Sequence, residues 1–154
     1  MFNLFKKKAK EPQFTIRHGV QKDIDFVVKQ IVEDSKYGYF ARGMPAKLII
    51  DNQNAMLNAS IKRQFLQMQT DYGLSHHHSS IFVIFESCEN ELIGFALVLC
   101  DVESEDKLSE ILVAGIRPEM RGNGYGKVFI KMLVSDLIKQ TPLKARCYKE
   151  STIM

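Results

Sequence analysis

The stretch from Glu110 to Lys131, EILVAGIRPEMRGNGYGKVFIK, carries the residue types needed to hold a diphosphate. Gly122, Gly124 and Gly126 remove side chains from three alternate positions, so backbone N–H groups can turn toward an anion and approach it closely. Arg121, Asn123, Tyr125 and Lys127 complete the segment. Ahead of it, the short apolar run from Ile111 to Ile116 suits a strand covered on both faces. Arg117-Pro118 closes that strand, because the residue before proline is pushed out of helical geometry. Behind it, Val128, Phe129, Met132, Leu133 and Leu137 share one face of a helix whose positive dipole end points at the glycines. A dinucleotide-binding loop would instead read GxGxxG after the first strand of a βαβ unit. A mononucleotide P-loop would follow Gly126-Lys127 with Ser or Thr, and Val128 stands there. Both alternatives fit poorly, which leaves a phosphate corner between strand and helix or an ordinary glycine turn.

Arg121, Gly124 and Gly126 match a pattern of Gln or Arg, two residues, Gly, one residue, and Gly or Ala. With this strand, proline and helix context, the chain from about Phe14 to Met154 resembles the GNAT superfamily of acyl-CoA-dependent N-acyltransferases. The resemblance implies acetyl-CoA as acyl donor, with its pyrophosphate on Arg121 and the segment Gly122, Asn123, Gly124, Tyr125, Gly126 and Lys127. It also implies a pantetheine arm lying along Ala114, Gly115 and Ile116 like an added strand. Gly115 makes independent sense, since a glycine inside a strand often marks a bulge or a close backbone approach. The implied fold is α+β, a mixed and mostly antiparallel sheet flanked by helices.

Acyl transfer to an amine needs a proton acceptor for the nucleophile, donors for a developing oxyanion and a proton for the departing thiolate. Glu110 is the candidate base: it lies six residues before Ile116, where part of the family carries a glutamate with that role. Strand periodicity places it on one face with Leu112, Ala114 and Ile116. The competing reading is a glutamate at the solvated start of a strand. Backbone N–H groups near Val113 to Gly115 are the expected oxyanion donors. Many relatives supply the thiolate's proton from a tyrosine on a helix after the fifth strand, followed by one or two final strands. Here the sequence reaches Met154 about where that helix would begin, so a shortened sheet is expected, with Tyr148, Tyr125 or Ser151 as stand-in acids. The function expected is direct transfer of acetyl from acetyl-CoA to a primary amine in a ternary complex. A non-catalytic domain that binds an acyl-CoA or a protein partner is the alternative. An amine-bearing small molecule or a protein or peptide would both serve as acceptor.

At 154 residues and 45% hydrophobic composition, one domain with a full core is expected over residues 13 to 154. The net charge of +3 resides in Lys6, Lys7, Lys8 and Lys10; everything beyond carries 17 basic and 18 acidic side chains. Bulk charge therefore gives no nucleic-acid-binding surface, and residues 1 to 12 read as a basic, flexible leader. No apolar run reaches transmembrane length and no secretory signal is seen, so a cytoplasmic location is expected. A homodimer is compatible with all of this. Cys88, Cys100 and Cys147 lie in or beside expected strands without metal-ligand spacing and read as buried, reduced thiols. Consecutive His76, His77 and His78 cannot all face one ion in regular structure, so no metal is expected. A mobile polar loop is the reading for them, near enough to the acceptor side to touch substrate.

The remaining pattern places a strand at Phe14 to Arg17 and a helix at Asp23 to Asp34 with Ile24, Val27, Val28 and Ile31 inward. A second helical region follows from about Pro45 to Tyr72, with Leu57, Ile61, Phe65, Met68 and Tyr72 as its stripe. Ile81 to Glu86 and Leu92 to Cys100 read as a hairpin beside Leu108 to Ile116. After the motif helix, ending near Gln140, a strand at Lys144 to Lys149 completes the order β, α, α, β, β, β, α, β.

Overall fold

A computed structural model describes residues 13–69, 75–101, 109–137 and 143–145. The expected leader, Cys147, Tyr148 and Ser151 lie outside the described residues.

Strand β1 (Phe14–His18) leads into α1 (Ile24–Ser35) through a corner built on Asp23. The Asp23 carboxylate is almost fully buried, accepts the Val20 N–H at 2.8 Å, and meets Arg17 Nη1 and Nη2 at 2.7 and 3.0 Å. Arg17 Nε reaches Glu86 Oε2 at 3.0 Å, so a single guanidinium ties the helix start to the sheet. Burial opposes the charge on Asp23, but the Arg17 hydrogen bonds, the Val20 amide and nearby Lys22 outweigh it and hold the carboxyl below its ordinary value. Along α1 the expected stripe of Ile24, Val27, Val28 and Ile31 is buried, and two polar residues, Gln30 and Asp34, are buried with it.

Helix α2 (Ala46–Ile61) is shorter than the sequence pattern suggests. The chain leaves it at Lys62-Arg63, with Arg63 at φ 55°, and enters β2 (Leu66–Gln69). The spacing of Phe65, Met68 and Tyr72 continues a helical rhythm, yet Phe65 is 63% exposed, and a ladder with the next strand takes over. Pairing with a neighbouring strand overrides local periodicity here. Tyr72 lies outside the described residues.

Strands β3 (Ser75–Ser87), β4 (Leu92–Asp101) and β5 (Ser109–Ile116) form the antiparallel centre. The expected hairpin between β3 and β4 is present, with Asn90 at φ 61° in its turn; Cys88, expected to be buried, is exposed because it falls just past the end of β3, and Cys100 is part-buried. The sheet runs β1-β3-β4-β5, with β2 on the part of β3's edge that β1 does not reach. Strand β6 (Leu143–Ala145) runs parallel to β5 against Ser109–Ile111. His76, His77 and His78, expected in a loop, belong to β3 and pair with Met68, Gln67 and Leu66.

One face of the sheet, with Phe82, Ile84, Phe95, Leu97 and Val113, packs against α1 and α2. The other, with Val83, Phe85, Ala96, Val98 and Ile116, packs against α3 (Tyr125–Met132), where Phe129 stacks on Phe85 at 4.9 Å. Both faces are covered, which is why β4 reads as an unbroken apolar run. Among the described residues, no helix is long and apolar enough to cross a membrane.

Candidate functional site

The chain leaves β5 at Ile116, turns at Pro118–Met120 and reaches α3 through the glycine segment. Gly122 and Gly124 hold φ of 80° and 79°, a left-handed conformation that side chains oppose. A Cβ on either would meet nothing within 4 Å, so the segment borders open space. Gly126 differs: its Cβ would sit 3.8 Å from Ile116 Cγ1, an ordinary contact that alanine would also make. Arg121 N–H donates to Pro118 O and Val128 N–H to Gly124 O, whereas the amides between them donate to no backbone acceptor among the described residues. These are the unsatisfied donors of a helix start, concentrated where the helix dipole is positive. Asn123 Nδ2 is turned back onto the Met120 and Arg121 carbonyls, at 3.2 and 3.4 Å. Lys127 is exposed on the first turn, and the Tyr125 ring packs edge-on against Phe14 at 5.2 Å.

The Arg121 side chain does not face that opening. Its Nη2 lies 2.6 Å from Asp34 Oδ2, its Nε donates to the Ile116 carbonyl at 2.8 Å, and its guanidinium sits 5.8 Å from the Tyr39 ring centre. Arg121 thus fastens the loop to α1 and to the end of β5. An anion on this corner would be met by main-chain N–H groups.

Strand β5 supplies the second part of the site. Its pairing with β6 covers Ser109–Ile111 only, so from Leu112 to Ile116 the outer edge carries no strand among the described residues. Opposite β4, the register slips at Leu112: Leu97 pairs with Val113 but Val98 pairs with Ile111. A bulge of this kind passes one residue without a partner and reverses which face the following side chains take. Ile111 therefore packs on the α3 side and Val113 on the α1 and α2 side, although they are two residues apart. Glu110 consequently does not share a face with Ala114 and Ile116, as unbroken alternation would require. It pairs with Leu99, which pairs with Ser80, on the α1 and α2 side. Gly115 marks a close approach and not the bulge. A Cβ there would lie 2.8 Å from Gln30 Nε2 and 2.9 Å from the Phe95 ring.

No family model matches the sequence, and no curated protein matches it. Solved structures do. A possible acetyltransferase from Clostridium difficile 630 superposes over 90% of this chain and 82% of its own, with a TM-score of 0.60 and 13% identity. N-acetylglutamate synthase from Neisseria gonorrhoeae, complexed with coenzyme A and N-acetyl-glutamate, matches 92% of this chain and 27% of its own (TM-score 0.56, 18% identity). Spermidine N-acetyltransferase from Vibrio cholerae, in complex with CoA and spermine, matches 79% of this chain and 62% of its own (TM-score 0.52, 14% identity). The chain has the GNAT fold. Relative to the element order expected from the sequence, this GNAT fold carries one further strand, β2.

Of the residues singled out in the sequence, the GNAT fold brings Ala114, Gly115 and Ile116 to the open edge and Gly122 to Lys127 to the adjoining corner. Glu110 lies beyond the bulge at the far end of that edge. The segment holding Tyr148 is outside the described residues, and among the described residues no cluster of three or more His, Cys, Asp or Glu side chains could hold a metal. Sequence reasoning missed Asp34 and Gln30. The available signal was two polar residues four apart, level with the apolar stripe of α1.

Proposed function

We propose that this protein is an acetyl-CoA-dependent N-acetyltransferase that moves an acetyl group directly to a primary amine of an acceptor. The observation that carries the reading is the continuity of two sets of main-chain groups. Among the described residues, unengaged amides at Gly122 to Lys127 adjoin a β5 edge without a strand neighbour from Leu112 to Ile116. A diphosphate followed by an amide-bearing arm has that sequence of needs: N–H donors for the anion, then a strand edge for the arm. The open space at Gly122 and Gly124 fits a phosphate, and the outer edge at Ala114 fits an extended chain. The neighbours crystallised with CoA support the same reading.

The residues present would divide the chemistry as follows. Main-chain N–H groups at the Leu112 bulge, displaced from regular pairing, stabilise the oxyanion that develops on the thioester carbonyl. The acceptor approaches from the α1 and α2 side, where Glu110 stands. Glu110 first takes a proton from the ammonium, directly or through water, and frees the lone pair; the C–N bond then forms, and as the C–S bond breaks the nitrogen's second proton goes to the departing thiolate through solvent or a stand-in acid. An alkylamine is mostly protonated at neutral pH, so this step is needed. The departing thiolate needs little acid, because a thiol is itself acidic enough to leave. Tyr148, Tyr125 and Ser151 remain the stand-in candidates for that proton, since the helix that carries the family's tyrosine has no counterpart in the sequence.

The test is to incubate the purified protein with acetyl-CoA and pooled amines, following thiol release and recording product masses. Release that depends on an amine, with an acetylated product, is expected. Binding of acetyl-CoA without turnover of any amine would favour a non-catalytic acyl-CoA-binding domain.

A further inference from the structure

Gln30 is the buried polar residue of α1 that the fold does not explain. It is 6% exposed, and both its Nε2 and Oε1 are buried without a hydrogen-bond partner. Asp23, Asp34 and Glu86, also buried, each have an arginine. Leaving both ends of a carboxamide unpaired is costly, and native proteins rarely do so without a use for the group. Leucine or methionine would fill the same space on this stripe at no such cost.

Its position indicates the use. Nε2 lies 2.8 Å from where a Gly115 Cβ would stand, so the amide sits directly over β5 in the stretch whose outer edge has no strand among the described residues. One helical turn further along α1, Asp34 holds Arg121 and with it the glycine loop. The order along α1, Asp34 and then Gln30, repeats the order of loop and strand edge along the proposed donor site. A carboxamide offers one donor face and one acceptor, and its natural complement is another neutral amide.

We propose that the Gln30 side chain binds a secondary amide of the acyl donor's arm, making α1 a second wall of that site beside β5. The inference rests on the acyl-CoA reading above and is tested so that the two separate. Titration calorimetry would compare CoA with 3′-phospho-ADP, which has the diphosphate and lacks the arm, on wild type, Gln30→Leu and Gln30→Met. The expected result is about tenfold weaker CoA binding in both variants, unchanged binding of 3′-phospho-ADP, and an apo melting temperature no lower than wild type. Equal CoA affinity in wild type and either variant would overturn the assignment of Gln30 alone. Weakening of both ligands to the same degree would also overturn it, because the loop and not the arm would then be affected. Failure of wild type to bind either ligand would overturn the acyl-CoA reading together with the inference.

Discussion

Asp34 Oδ2 and Arg121 Nη2 stand 2.6 Å apart, joining the end of the first helix to the glycine loop across 87 residues of chain. The Asp34 side chain is 3% exposed and that of Arg121 25%, so water screens the pair on one side only. Removing Asp34 leaves the guanidinium half-buried with the Ile116 carbonyl as its remaining acceptor. Asp34→Ala should lower stability by about 2–4 kcal/mol, toward the lower figure because of that partial exposure. Chemical denaturation of the two single variants and the double variant gives the coupling: the double loss should fall well short of the sum, and additive losses would mean that the pair does not act as one unit.

The corner at Asp23 makes stability depend on acid. Its carboxyl is depressed in the folded protein, so it contributes stability above the unfolded pKa of about 3.9. That contribution is lost as pH falls through the lower folded value. Asp23→Asn should therefore cost about 1–3 kcal/mol at pH 7, and its stability curve should converge on wild type as pH drops below about 4. A gap between the two that stays constant down to pH 2 would show that the charge is not what matters.

Gly94 faces the backbone of β5. A Cβ there would lie 2.6 Å from the Gly115 carbonyl oxygen and 2.8 Å from Ile116 Cδ1, and a main-chain oxygen inside a ladder cannot swing aside. Gly94→Ala should cost about 1–3 kcal/mol through overpacking, read as a lower denaturant midpoint with an unchanged slope. A neutral substitution would show that β4 and β5 separate easily at this point.

Under the proposed chemistry, Glu110→Gln keeps shape and removes the proton acceptor. The kcat should fall by about 10²-fold or more while the KM for acetyl-CoA changes little. An unchanged kcat would remove Glu110 from the mechanism and leave it as a residue on the row with Leu99 and Ser80.

The residues that were legible in advance are those whose signal is local. The strand, proline and glycine succession from Ile111 to Gly126 foretold both the corner and its neighbours, because each step follows from backbone geometry within a few residues. Phe65 and Met68 misled for the same reason: their spacing is helical, but nothing local announces that Leu66–Gln69 will pair with β3. Glu110 departs from the face that simple alternation predicts because one residue, Leu112, passes without a partner on β4 and reverses alternation, and no glycine or proline flags it. Asp34 and Gln30 take their meaning from Arg121 and Gly115, which are 87 and 85 positions away, so only the fold could supply it.

Binding at the glycine corner is the claim beneath all others, and a melting curve tests it. With CoA at about 100 times its dissociation constant, wild type should melt roughly 5–10 °C higher by mass action. Gly124→Glu, which places a carboxylate where an anion is expected and strains a residue at φ 79°, should fold less stably and show no rise. A wild-type melting temperature that does not move at millimolar CoA, or an equal rise in the variant, would contradict the account.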